Sequence, residues 1–173
     1  MKRILAVAAV VALLAGCDSK PDAPFGFEWG QSVDNVEKLG LSRLSCGDEH
    51  KDGFTLCHSE SSPSGERGEF IFAFNDPKYK GLVTIDKKYK ATNDKELLLE
   101  QYNKEKLDLD KKYGSPVKTS NQYDENRDFF FCLSDESCAE IKADYENDGV
   151  MSGVEIRSKD KNSGYISVYY IRK

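Results

Sequence analysis

Gly68-Glu69-Phe70-Ile71-Phe72-Ala73-Phe74 sets three phenylalanine rings at every second position. Side chains of an extended chain point alternately to the two faces of a sheet. This period of two therefore predicts a strand with all three rings on one side and Ile71 and Ala73 on the other, which implies that both faces are at least partly covered. A face bearing three phenylalanines belongs against a core. The runs at 42–46, 54–59 and 82–88 are also of strand length, and Gly, Asp, Asn and Pro separate them. Strand-length runs with turn chemistry between them predict an antiparallel four-strand meander.

Upstream of the meander, Ser32 is a good N-cap and Val33, Val36 and Leu39 form one apolar stripe, which predicts a short helix to about residue 39. Phe25-Gly26-Phe27-Glu28-Trp29-Gly30 supplies an aromatic entry to it. Downstream, Thr92 or Asn93 can cap a long helix to about Tyr113. Leu97, Leu98, Tyr102, Leu109 and Tyr113 are its expected buried side, and Gly114 and Pro116 end it. Runs at 128–133, 139–145, 150–158 and 165–172 then read as four more strands. Residues 25–90 and 91–173 thus rhyme, each a helix followed by a four-strand meander, and the rhyme suggests duplication. The expected class is α+β: one two-layer domain over 25–173, with a large antiparallel sheet and helices on one face.

The chain begins differently. Lys2 and Arg3 precede an apolar run, 4–14, that is too short to span a bilayer and leads into Leu13-Leu14-Ala15-Gly16-Cys17. This pattern resembles the lipobox of bacterial lipoproteins. The resemblance implies that residues 1–16 are a signal peptide and that the Cys17 thiol takes a diacylglyceryl group. It also implies acylation of the new amine in many bacteria and, through Asp18, retention at the periplasmic face of the inner membrane, with the outer membrane as the alternative. Residues 17–24, polar and bearing Pro21 and Pro24, are the expected tether. More than one acyl chain is needed for stable anchoring, each buried CH₂ contributing about 0.8 kcal/mol.

Beyond Cys17 the chain holds Cys46, Cys57, Cys132 and Cys138. An even count in an exported chain reads as disulfides. Locality favours Cys46 with Cys57 and Cys132 with Cys138, each closing a short loop between two expected strands. A zinc site on Cys46, Cys57, His58 or His50 is the rival, but the spacings match no zinc knuckle. The net charge of −5 becomes more negative once Lys2 and Arg3 leave with the leader, which argues against nucleic acid as a partner.

Candidate chemistry is sparse. Asp144, Glu146, Asp148, Val150 through its carbonyl, Ser152 and Glu155 follow the ligand spacing of a calcium loop, with Gly149 at the sharp turn. The competing reading of the same stretch is a tight hairpin on Asn147-Asp148-Gly149. Asp48, Glu49, His50 and Asp52 form a polar loop that has the ligand types of a weak metal site but reads as a solvated hairpin tip. The chain has two histidines and lacks a nucleophile elbow, a phosphate-cradling glycine loop and an H-E-x-x-H pair. The adjacent acids Asp135 and Glu136 are the best that a hydrolase reading offers. A sheet covered on one face leaves the other for recognition, and Tyr165, Tyr169 and Tyr170 are the candidate protein-binding residues, supplying rigid amphipathic contacts to a partner.

The overall pattern of helices packed on one side of a large antiparallel sheet resembles the tandem fold of the β-lactamase inhibitory proteins, with no shared motif that would map a contact residue. The expected function is non-catalytic binding of another envelope protein by a lipid-anchored domain. A small-ligand or calcium-binding module and a periplasmic hydrolase are the alternatives.

Overall fold

The computed structural model describes residues 22–47, 53–75, 80–135 and 138–173. Cys17, Asp18 and the loop residues Asp48, Glu49, His50 and Asp52 lie outside them, as does Glu136. The described chain is α+β, with an eight-stranded antiparallel sheet and three α-helices. The strands are β1 (Ser45–Cys46), β2 (Thr55–Ser61), β3 (Arg67–Phe74), β4 (Leu82–Lys88), β5 (Lys118–Tyr123), β6 (Ala139–Asn147), β7 (Val150–Asp160) and β8 (Ser163–Arg172). Their order in the sheet is β1-β2-β3-β4-β8-β7-β6-β5. The helices are α1 (Val33–Glu37), α2 (Lys95–Tyr113) and α3 (Phe129–Ser134).

The Phe70, Phe72 and Phe74 rings are fully buried on one side of β3. Register carries that side across the sheet: Phe72 faces Cys57 and Ile85, Ile85 faces Tyr170, and Val168 faces Val154. Two different covers lie over it. Above β3, β4 and β8 sits the N-terminal segment, where Phe25 meets Phe70 and Tyr170 edge-on at 5.3 and 5.7 Å and Phe27 meets Phe72 at 4.7 Å. The segment is stitched to the start of β4, Gly30 N–H donating to the Leu82 carbonyl and Leu82 N–H to that of Gln31. Gly81 adopts φ +78° there, and a Cβ on it would stand 2.2 Å from the Gly30 carbonyl oxygen, so only glycine fits this crossing. Over β6, β7 and β8 lie α2 and α3.

Helix α2 starts one or two residues later than the sequence suggests. The Asp94 carboxylate accepts from Leu97 N–H at 3.0 Å and is the cap, while the Thr92 hydroxyl accepts from Asp94 N–H. Leu98, Tyr102 and Leu109 are buried, and Tyr113 is half-buried against Tyr145. Leu97 is exposed, because a residue next to Leu98 is turned about 100° from it.

The expected strand at 128–133 is a helix. Phe129-Phe130-Phe131-Cys132-Leu133 has no alternation, and Asp128 caps it by accepting from Phe131 N–H at 2.8 Å. Phe129, Phe130, Cys132 and Leu133 are buried together, which suits a short helix pressed into the core and not a strand with two distinct faces. The fourth strand of this half is instead β5, a polar edge strand that carries no apolar period.

Candidate protein-binding face

The pleat that buries the phenylalanines delivers the intervening residues to the opposite face of the sheet. All three helices and the N-terminal segment lie on the phenylalanine side, so this opposite face is open among the described residues. Beside a row of Ala73, Thr84, Ile171, Met151 and Glu146, two further rows of side chains cross it. One runs Glu69, Lys88, Ser167, Glu155, Lys142 and Ser120; the next runs Ile71, Asp86, Tyr169, Gly153, Asp144 and Lys118. Neighbouring strands set opposite charges side by side in the first row, at Glu69 with Lys88 and Glu155 with Lys142.

The centre of the face is held by hydroxyl-to-carboxylate bonds. Ser167, itself fully buried, donates to Asp86 at 2.6 Å from the adjacent strand. Tyr169 lies across Gly153 and donates its hydroxyl to Asp144 on the strand beyond. Gly153 is required for this crossing, since a Cβ would overlap the phenol and come within 2.8 Å of the Ala143 carbonyl oxygen. Burial raises the Asp86 carboxyl above its ordinary range, against the opposing pull of the Ser167 bond and of Lys88 and Arg157. Burial, and then the bond to Asp144, pushes the Tyr169 phenol well above the ordinary tyrosine value, so it stays a donor throughout the physiological range. Arg157 donates to Glu155 at 2.6 Å, and Lys88 stands 5.5 Å from the centre of the Tyr165 ring.

The three tyrosines separate. Tyr165 and Tyr169 are on the open face and half-buried, whereas Tyr170 has the other parity and is 6% exposed, packed against Phe25. Alternation within Tyr169-Tyr170 was the signal that distinguishes them. Asp86, Ser167, Glu155 and Arg157 join the face only through register between strands distant in sequence, which no local pattern reveals.

The 144–155 stretch is a hairpin. Asp148 and Gly149 have φ of 48° and 74°, the paired positive angles of a two-residue turn between β6 and β7. The hairpin spreads the calcium-loop residues along two strands. Asp144 lies opposite Gly153 and bonds to Tyr169, Glu155 lies opposite Lys142 and bonds to Arg157, and Ser152 is buried on the other face. They do not converge as one ligand set, and among the described residues no group of three or more His, Cys, Asp or Glu side chains is placed to hold a metal ion. Asp135 pairs with Arg127 at 3.5 Å.

Both expected cysteine pairs are joined. Cys46 and Cys57 are direct cross-strand partners on β1 and β2 with Cα atoms 4.0 Å apart. Cys132 and Cys138 have Cα atoms 4.9 Å apart, but their bridge ties the end of α3 to the start of β6 and does not cross a hairpin, because α3 replaces the expected strand. Neither pair is then available to zinc. No helix among the described residues is long and apolar enough to cross a membrane. Compared with protein-family models, curated proteins and solved structures, the chain has no match.

Proposed function

We propose that this protein is a lipid-anchored periplasmic binding protein without catalytic chemistry, whose open sheet face docks another envelope protein. The observation that supports this reading is the composition of that face. No described residue covers it, yet its central polar groups are already oriented by Ser167 and Tyr169, so a partner would meet fixed carboxylates and rings at little ordering cost. Half-buried Tyr165 and Tyr169 beside Arg157 are residue types that carry binding energy at protein interfaces. The lipobox-like leader supports the anchor at Cys17 and, with Asp18, the inner membrane.

The duplication reading belongs here as well. In the order β1-β2-β3-β4-β8-β7-β6-β5 the two sets of four strands run outward from a β4–β8 seam, each strand matched by the one four places later. This is the arrangement expected of two fused copies, and it keeps the likeness to the β-lactamase inhibitory protein fold at the level of architecture.

The test is affinity capture of the tagged protein from mildly crosslinked envelopes, with Cys17→Ser as control. One dominant protein, recovered with the anchored form and lost when Tyr165 and Tyr169 are both changed to Ser, is the expected result. Recovery that is indifferent to those two changes overturns the docking face. Membrane attachment of the Cys17→Ser form overturns the anchor.

A further inference from the structure

The point at which the chain enters the fold fixes which side of the sheet is held near the lipid. Asp22 is exposed and pairs as an isolated bridge with Glu28, and Ala23 N–H donates to the Phe27 carbonyl at 2.9 Å. Phe25 and Phe27, in the same short turn, point into the phenylalanine side of β3, and the Ser64 N–H holds the Phe25 carbonyl at 3.0 Å. The described chain therefore begins on the outer surface of the layer covering β3 and β4, with the sheet between it and the open face.

Four residues, 18–21, separate Cys17 from Asp22. Fully stretched, this connection reaches about 17 Å, at roughly 3.5 Å per residue. The covered side is adjacent to that attachment. The open face lies a further layer away, a packing distance of about 10 Å. Laying that face on the bilayer would also require the tether to round the end or edge of the sheet, stretched close to its full length. Holding a chain extended costs conformational entropy that the adjacent side does not demand.

From this we infer that the lipidated protein sits with its helical layer toward the membrane and its open sheet face turned away. The inference rests on Cys17 being the lipidated residue. It narrows the proposed partner to a protein that reaches the face from the aqueous periplasm, such as a soluble protein or the periplasmic domain of a larger one, and removes lipid headgroups of the same membrane as the occupant.

The orientation is measurable with the full lipidated chain in vesicles of phosphatidylethanolamine and phosphatidylglycerol. A fluorophore is placed in turn at Glu37→Cys and Leu107→Cys, both exposed on the helical layer, and at Glu69→Cys, exposed on the open face. Headgroup nitroxide lipids should quench the first two labels at least threefold more than the third. Lengthening the tether by fifteen Gly/Ser residues should bring the three toward equality. Equal quenching with the native tether, or stronger quenching at Glu69→Cys, overturns the orientation while leaving the anchor intact. A mature chain that carries no lipid and does not sediment with vesicles overturns both.

Discussion

The two faces of the sheet are built from the same strands and differ in what holds them. On the covered side Phe70, Phe72, Phe74, Ile85, Val154 and Val168 are buried against one another and against α2, α3 and the N-terminal segment, and their stability comes from apolar area removed from water. On the open side the buried positions belong to Ser167 and to the backbone of Gly153, and the bonds made there are polar ones, Ser167 to Asp86 and Tyr169 to Asp144. The difference teaches that the covered face holds the fold by apolar burial, whereas the open face holds neighbouring strands together by polar bonds.

Truncation should separate the faces most sharply. Phe72→Ala is expected to cost about 3–5 kcal/mol in denaturant unfolding, as for a large aromatic removed from a full core, whereas its neighbour Ile71→Ala, half-buried on the open side, should cost well under half as much. Equal losses would mean that the open face is packed by something this structure lacks. Replacing Cys46 and Cys57 together by Ser should cost about 2–4 kcal/mol without altering spectroscopic strand content, because the bridge clamps the edge strand β1 on the covered side. Tyr169→Phe keeps the ring over Gly153 and removes only the bond to Asp144; a loss of about 1–3 kcal/mol is expected, as for a hydrogen bond to a charged group.

The smallest effects carry opposite signs on the two sides. Burial raises the Asp86 carboxyl above its unfolded value, so its contribution to stability is full at low pH and is lost as pH rises through the folded pKa. Asp86→Asn should therefore melt slightly higher than wild type at pH 7, an advantage that vanishes on acidification. Asp110 on α2 is held below its ordinary value by bonds from Lys106 and then Tyr145, so its contribution is full at neutral pH and is lost as pH falls through the folded pKa. Asp110→Asn should melt lower than wild type at pH 7 and converge with it in acid. Melting curves between pH 3 and 7 decide both, and two variants that move in the same direction would erase the contrast.

Where side chains declare a period, the sequence was readable. The Phe70-Phe72-Phe74 alternation fixed β3 and its neighbours to within one or two residues, except that β1 shrinks to Ser45–Cys46. Gly114 and Pro116 marked the end of α2. Reading failed where the apolar pattern is unbroken or absent: Phe129 to Leu133 is apolar at every position and folds as α3, and polar Lys118–Tyr123 pairs as an edge strand because β6 offers it an open ladder. The candidate face was half legible. Tyr165 and Tyr169 could be named from their strand, but Asp86 meets Ser167 across 81 residues of sequence, and that contact exists only once β4 and β8 form the central seam.

The most direct test of the proposed docking face is a photocrosslinking scan in intact cells, with a photoreactive residue at Ile71, Thr84 and Tyr165 on the open side and at Glu37, Lys104 and Leu107 on the helical layer. The account predicts one shared adduct from the three open-face positions and none of that mass from the helical layer. The same adduct from both sides, or one confined to the helical layer, would contradict it.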